Sequence, residues 1–370
     1  MNRMHGMTPR RTLACLGTAI VLTAGQANAV VVYGGGSDAP ANDTAPAGFE
    51  DAWARVGRNG NGTGVYLGNG FVLTAAHVNN GSAFAVENDF NYPIIDTAGT
   101  ILKNDDNSDS DLRLIRVAVP QGTGLFGLDP LPIVTTSLIT PGSNDPLGIL
   151  IGTGVGQVEL QPVTINFKQG FNWNDTRDTR WAELEVGSSD SVSIPDGNIS
   201  RSIDGFSSIF KAIGPNEDGA ASRNDSGAPL YYDNGTDVVL VGLTHSVSQL
   251  DKSLNNDKTF FSDLSLYQDQ FVITLGDLDG DGGVSEADLG LVLDHYGQSV
   301  QAGDFLQGDA DGDGIVGVND LDFVLSRWGD GDTGAIGAAP ALGQVTPAVP
   351  EPASALILIG SFACFSRRRR

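Results

Sequence analysis

The stretch "GVYLGNGFVLTAAHV" (residues 64–78) sets two strand-length apolar runs on either side of Gly68-Asn69-Gly70 and ends in a histidine after an alanine pair. Apolar runs of this length, broken by Gly and Asn, read as strands and turns. The same texture extends from Val30 to about Leu275, in "DLRLIRVAV" (111–119), "PLGILIGTGVGQVEL" (146–160) and "TDVVLVGLTHSV" (236–247). One helical period stands out, in "DLSLYQDQFVI" (263–273), where Leu264, Tyr267 and Phe271 share a face. The expectation is an all-β sandwich or barrel closed by a short helix.

The chain has 370 residues, 40% of them hydrophobic, enough for a large core and about two domains. Residues 1–29 carry Arg3, Arg10 and Arg11, an apolar run from Leu13 to Ala24, and Ala27-Asn28-Ala29. That is the charged, apolar and small-residue order of a secretory signal, with an apolar core too short to span a bilayer. Export through the Sec pathway is expected. Residues 349–370, "VPEPASALILIGSFACFSRRRR", join a Pro-Glu-Pro turn, a short apolar run and four arginines. A simple tail anchor is the plain alternative, but the segment resembles the PEP-CTERM sorting signal. That resemblance implies removal by an exosortase-type enzyme and delivery to the cell surface, outer envelope or medium.

Both cysteines, Cys15 and Cys364, lie in these end segments, so a chain trimmed at both ends has no disulfide or thiolate metal site. The ends also hold seven of the 21 basic residues but only Glu351 among the 45 acids, which leaves residues 30–349 with a formal charge near −30. Such an acidic excess repels phosphates and excludes nucleic acid as an expected partner, while suiting an exported protein that binds cations.

From Gly276 the pattern changes. "DLDGDGGVSEAD" (277–288) and "DADGDGIVGVND" (309–320) repeat at an offset of 32 residues, and Leu289, Val292, Leu293 and Tyr296 recur as Leu321, Val324, Leu325 and Trp328. This is a duplicated loop–helix unit. Alternate aspartates around a glycine bring several hard oxygens to one side of a tight turn, as Ca²⁺ requires. The expected ligands are Asp277, Asp279, Asp281, Gly283 (carbonyl), Ser285 and Asp288 in the first loop. In the second they are Asp309, Asp311, Asp313, Ile315 (carbonyl) and Asp320, with water where Gly317 offers no side chain. An acidic surface turn accounts for one such loop, but not for two in register. Two loops, each followed by one helix and closed by Asp, resemble a type I dockerin over residues 276–331. The resemblance implies a domain that folds on two calcium ions and docks on a cohesin-like partner. Glu286-Ala287 and Val318-Asn319 depart from the Ser-Thr pair common at the recognition positions of that family. Residues 332–348 read as a Gly/Ala/Pro linker.

Only His77 and His245 fall within the β region. Asp111 opens "DLRLIRV", and Ser226 centres "SRNDSGAPLYY" (222–232), a turn-prone run before a strand. A serine hydroxyl needs a neutral imidazole to take its proton, and a buried carboxylate to orient that imidazole. The chain order His, Asp, Ser is one of three known for this chemistry. Taken singly, each residue has a plainer reading as turn, packing or cap residue. Asp105, Asp106 and Asp109 are rivals for the carboxylate. "LTAAHV", "SDLRLIRV", "NDSGAP" and the closing "FFSDLSLYQDQFVI" together resemble the trypsin-like serine proteases over residues 30–275. The resemblance implies a double six-stranded β-barrel of the chymotrypsin type with a short C-terminal helix. It also implies a catalytic set of His77, Asp111 and Ser226, and an oxyanion hole from the N–H groups of Asn224 and Ser226.

Asn224 stands where that family has glycine, at a site needing positive φ, which Asn tolerates. Ala220 occupies the specificity-pocket position that selects basic residues in trypsin, with Asp218 nearby. His245 falls where the family has a serine touching the catalytic Asp and reads as structural. Asp225 corresponds to the residue that pairs with a new N-terminal amine, and cleavage after Ala29 would expose "VVVYGGG". The expected function is an exported serine endopeptidase acting on protein or peptide substrates, with calcium as its only cofactor. Two alternatives remain: a non-catalytic, calcium-dependent surface adhesion or scaffold protein, and an esterase using the same residues.

Overall fold

The computed structural model describes residues 30–33, 42–86, 91–120, 122–126, 128, 130–139, 146–159, 161–187, 189–196, 199–212, 218–279 and 283–329. The two end segments, the linker, Asp281 and Gly282 lie outside the described residues. The chain is all-β with few helices and contains a closed six-stranded barrel, consistent with the chymotrypsin fold.

The barrel is built from β1 (Val56–Asn59), β2 (Gly62–Gly68), β3 (Phe71–Ala75), β4 (Ala83–Val86), β5 (Asn91–Lys103) and β6 (Asp109–Val117). β3 pairs antiparallel with β6 from Phe71 opposite Arg116 to Ala75 opposite Leu112, and β5 returns to β6 to close the ring. Side chains alternate between faces. Tyr66, Val72, Phe84, Tyr92, Ile115 and Val117 form one cluster. Their neighbours Leu67, Phe71, Leu73, Leu112 and Leu114 point the other way into a second cluster. Both faces are therefore covered, which is why every residue of β2 and β3 is buried and the opening stretch reads as a nearly continuous apolar run.

A second sheet comprises β7 (Leu147–Gly152), β8 (Arg180–Glu185), β9 (Ile199–Ile209), β10 (Pro229–Asp233), β11 (Val238–Val247) and β12 (Lys258–Asp263), in the order β8-β7-β10-β11-β12-β9. Its two ends approach, with Gly187 N–H donating to Ser207 C=O at 3.0 Å. One parallel bridge, Ser202 to Ser110, ties β9 to the first barrel.

The expected closing helix is a 3₁₀ turn, Leu264–Tyr267, leading into an α-helix, Gln268–Gly276, and Leu264, Tyr267 and Phe271 are all buried. A five-residue helix, Glu50–Ala54, has no period long enough to show in the sequence. Helices Glu286–His295 and Val318–Leu325 follow the two acidic loops and are hydrogen-bonded reciprocally: Gly329 N–H donates to Val284 C=O and Gly297 N–H to Val316 C=O.

The repeat does not bury equivalent residues equally. Leu293 and Tyr296 are about half exposed, whereas Leu325 and Trp328 pack against the core. The second helix faces Tyr66 and Val119 of the barrel across a cavity, while the first leaves the Leu293 and Tyr296 face exposed. One hydrophobic cluster contains Leu67, Phe71 and Leu73 of the barrel together with Val292, Val316, Phe323 and Val324 of the loop–helix unit. Gly312 of the second loop sits directly on Gly70, whose Cα is 3.3 Å from where a Gly312 Cβ would lie. The Arg116 guanidinium, 5% exposed, lies over the rings of Phe71 and Phe305, which are 5.5 Å apart.

Candidate active site

β3 ends at Ala75, and the turn after it carries His77 to the seam between barrel and sheet. β6 brings Asp111 alongside, fully buried. Its Oδ1 accepts the His77 backbone N–H at 2.8 Å, and its Oδ2 accepts His77 Nδ1–H at 2.6 Å. Across the seam, His77 Nε2 lies 2.9 Å from Ser226 Oγ. Because a carboxylate only accepts, the proton of a neutral His77 sits on Nδ1, and Nε2 presents its lone pair to the hydroxyl. Burial works against the charge on Asp111, but hydrogen bonds from His245 and His77 outweigh it and hold the carboxyl well below the usual range. The rival carboxylates are elsewhere: Asp109 pairs with Lys103 and Arg201, and Asp106 accepts from Ser108.

The Ser226 loop is pinned by both halves of the protein. Ser226 C=O accepts Thr63 N–H at 2.8 Å, Asn224 C=O accepts Thr63 Oγ1–H at 3.0 Å, and Gly227 N–H donates to Thr244 C=O at 2.8 Å. Gly227 has φ +89°, and a Cβ there would lie 2.1 Å from Thr63 O, so the turn admits only glycine. Asn224 adopts φ +74°, the left-handed conformation expected of it. The N–H groups of Asn224 and Ser226 donate to no acceptor among the described residues. They remain available to an oxyanion.

A cavity of about 450 Å³ opens beside Ser226 and His77, walled by Val192, Ser193, Val247, Leu250 and Arg223. Ala220, expected to shape specificity, does not line it. Ala220 pairs with Val31 and is buried among Val31, Phe171, Phe210 and Ala212, because the N-terminal strand covers it. Asp218 is also withdrawn: its carboxylate accepts Lys211 N–H at 3.2 Å, and burial pushes its pKa up to about 7. Besides His77 and the buried His245, the cavity wall carries Arg223, which is paired with Asp175 at 2.6 Å. Val192 and Ser193 gave no sequence signal, since they reach the site only through the pairing of the Ser189–Asp196 strand with β9.

Beneath the loop, Asp225 is wholly buried and accepts from Gly154 N–H at 2.7 Å, Ser222 N–H at 2.8 Å and Ser222 Oγ–H at 2.9 Å. Burial pushes its pKa up to about 6 against these donors. Val30 is fully buried with φ +47°, a strained conformation for a β-branched residue. A Cβ on Gly152 would meet Asp225 Oδ1 at 2.2 Å and Val30 Cγ2 at 2.8 Å, so Val30 and the carboxylate flank one glycine.

In the acidic loops, carboxylate oxygens of Asp277, Asp279 and Asp288 lie within 4.8 Å of one another, as do those of Asp309, Asp311 and Asp313. Asp320 stands outside the second trio. Its oxygens accept the N–H groups of Ala310, Asp311 and Gly317, and Asp288 repeats this pattern with Leu278, Asp279 and Ser285. Ser285, expected as a ligand, is the N-cap of its helix, and its Oγ accepts Ala287 N–H. Gly314 has φ +85°, the conformation that the tight turn needs. Gly283 and Ile315 follow the turn glycines of their loops, and no side-chain oxygen is expected of either.

No family model and no curated protein matches the chain. Among solved structures it is similar to the NS6 protease from murine norovirus 1, with 13% identity over 60% of this chain and 93% of that one (TM-score 0.33). It is also similar to the active form of the Rv3671c protease from M. tuberculosis, with 13% identity over 71% of this chain and 92% of that one (TM-score 0.35). The Haemophilus influenzae Hap adhesin shares 16% identity over 59% of this chain and 22% of its own (TM-score 0.37). Likenesses this distant leave the chemistry to the geometry of the site itself.

Proposed function

We propose that the chain is an exported serine endopeptidase of the trypsin-like type, with a double-barrel catalytic region, and that it hydrolyses peptide bonds through an acyl-enzyme. The single observation that carries this is the line of contacts from Ser226 Oγ through His77 Nε2 and Nδ1 to the buried Asp111 carboxylate, at 2.9 and 2.6 Å. Ser226 Oγ attacks the substrate carbonyl while its proton passes to His77 Nε2. The C–N bond then breaks as that proton goes to the leaving amine, and water reverses the sequence to release the acid. Asp111 stabilises the imidazolium, and the N–H groups of Asn224 and Ser226 hold the oxyanion. The partly aliphatic cavity, with Arg223 and no acidic side chain in its wall, supports small or aliphatic residues at the cleavage position rather than Lys or Arg.

Two Ca²⁺ ions belong to this reading as structural cofactors. The two carboxylate trios fit a hard divalent cation, which would offset most of their charge and, through Asp288, tie the first loop to its helix. The loop–helix unit is then a dockerin-like module, with any cohesin-like or other surface partner restricted to the face turned away from the barrel. A secretory leader and an exosortase-processed tail would place the protein at the cell surface or outside it. Signal cleavage after Ala29 would free the Val30 amine beside Asp225, relieve its strained φ and give the buried carboxylate a cation.

Serine-directed fluorophosphonate labelling tests the reading. Labelling of the wild type, lost in both Ser226→Ala and His77→Ala, is expected. A folded wild type that takes no label would overturn it in favour of the adhesion or scaffold alternative, and ester turnover without peptide cleavage would favour the esterase.

A further inference from the structure

His245 does more than fill space. β11 and β12 lose register between Thr244 and Ser246, and this irregularity includes His245, whose side chain is turned under Asp111 with no exposed surface. Its Nδ1 lies 2.7 Å from Asp111 Oδ2, the oxygen that His77 Nδ1 also contacts at 2.6 Å. Its Nε2 is hydrogen-bonded to Ser262 Oγ, which is buried on β12. A neutral imidazole has one N–H and one lone pair, so Nδ1–H donates to the carboxylate and Nε2 accepts the Ser262 hydroxyl proton. The two sides of Asp111 are thus near mirror images, each an imidazole on the same oxygen with a serine beyond it. The His245 backbone also reaches the other end, because its C=O lies 3.1 Å from Ser226 Oγ as a second acceptor competing with His77 Nε2 for the one hydroxyl proton.

We propose that His245 is a positioning residue that, with Ser262, extends the catalytic line to Ser226–His77–Asp111–His245–Ser262 and sets how strongly Asp111 holds the His77 proton. This rests on the reading of Ser226 as nucleophile. Two donors on one oxygen share its electron density, so the His245 N–H weakens the pull of Asp111 on the His77 imidazolium while fixing the carboxylate in plane. Burial, partly offset by Asp111, favours neutral His245. The groups acting on His245 are Asp111 and His77. Around His77 they are Asp111, Arg223 across the cavity, and Arg113, which is bonded to Val78 C=O. Arg201 contacts Asp109 and Ser110 C=O behind β6.

The test combines two variants with a proton measurement. His245→Leu removes the donor. Its kcat is expected to fall about 10²-fold through misplacement of His77, and the acid limb of its kcat/KM profile to move up by roughly one pH unit as Asp111 regains its hold on the proton. His245→Asn keeps an N–H near the Nδ1 position and is expected to restore the limb. In proton NMR of the full chain carrying Ser226→Ala, two strongly deshielded imidazole N–H signals are expected, one lost in His245→Asn and both lost in Asp111→Asn. A single signal in the parent, or an acid limb unmoved in His245→Leu, overturns the proposal. Two signals in a chain without peptidase activity would uphold the paired geometry and sink the endopeptidase reading instead.

Discussion

Removing calcium should loosen the catalytic barrel as well as the loop–helix unit, because the two share one hydrophobic cluster. Phe71 of the barrel is 2% exposed, and it stays so only while Phe305 and Arg116 pack beside it. Uncovering it together with Leu67 would forfeit roughly 1.5–3 kcal/mol for each side chain. At a hundredfold excess over the dissociation constant, one bound ion stabilises the folded state by about 2.7 kcal/mol, so two independent ions contribute roughly 5 kcal/mol. In a unit of this size each kcal/mol shifts Tm by about 2–4 °C, which gives a drop on the order of 10–20 °C in chelator. Asp309→Ala should cost about half of that. The assay is thermal melting followed by tryptophan fluorescence in a Ser226→Ala, Trp328→Phe background, which leaves Trp53, Trp173 and Trp181 as reporters. If those tryptophans melt at the same temperature with and without calcium while helical signal is lost separately, the shared-core reasoning is refuted.

Asp218 gives a pH signature. With a folded pKa near 7 against about 3.9 unfolded, its cost to stability is absent below about pH 4, grows as pH rises, and is complete above pH 7. Asp218→Asn, which keeps the acceptor for Lys211 N–H, should therefore match the wild type at pH 4 and exceed it by on the order of 2–4 kcal/mol at pH 8 in urea melts. An equal difference at both pH values would rule out the titration. Gly152→Ala should press on Asp225 and slow covalent labelling of Ser226 by about 10²-fold with the fold retained, as read by circular dichroism. An alanine added before Val30 should lower activity comparably; full activity would remove the amine–Asp225 pairing. On a peptide library, Arg223 at the rim and the absence of an acid from the cavity wall predict cleavage after small or aliphatic residues, and a Lys/Arg preference would contradict that cavity.

The all-β class and the closing helix were legible because local rules suffice. Strand runs stop at Gly and Asn, and Leu264, Tyr267 and Phe271 repeat at helical spacing. His77, Asp111 and Ser226 could be nominated only together, because their chain order and the residue patterns around them agree while each alone has a plainer reading. Ala220 could not be placed, since what covers it is the Val31–Val32 strand, nearly 190 residues away along the chain. The same limit hid Val192 and Ser193, and it made His245 look merely structural, because its partner Ser262 belongs to another strand.

The sequence by itself determined the strands, the turn glycines, the loop aspartates and their spacing, all of which depend on residues a few positions apart. Only the tertiary structure decided that two imidazoles meet on one Asp111 oxygen, that the second acidic loop rests on the barrel, and that the cavity wall takes in Val192 and Ser193. Those contacts join segments from about thirty to more than two hundred residues apart, and packing between strands, not any local preference, sets their distances.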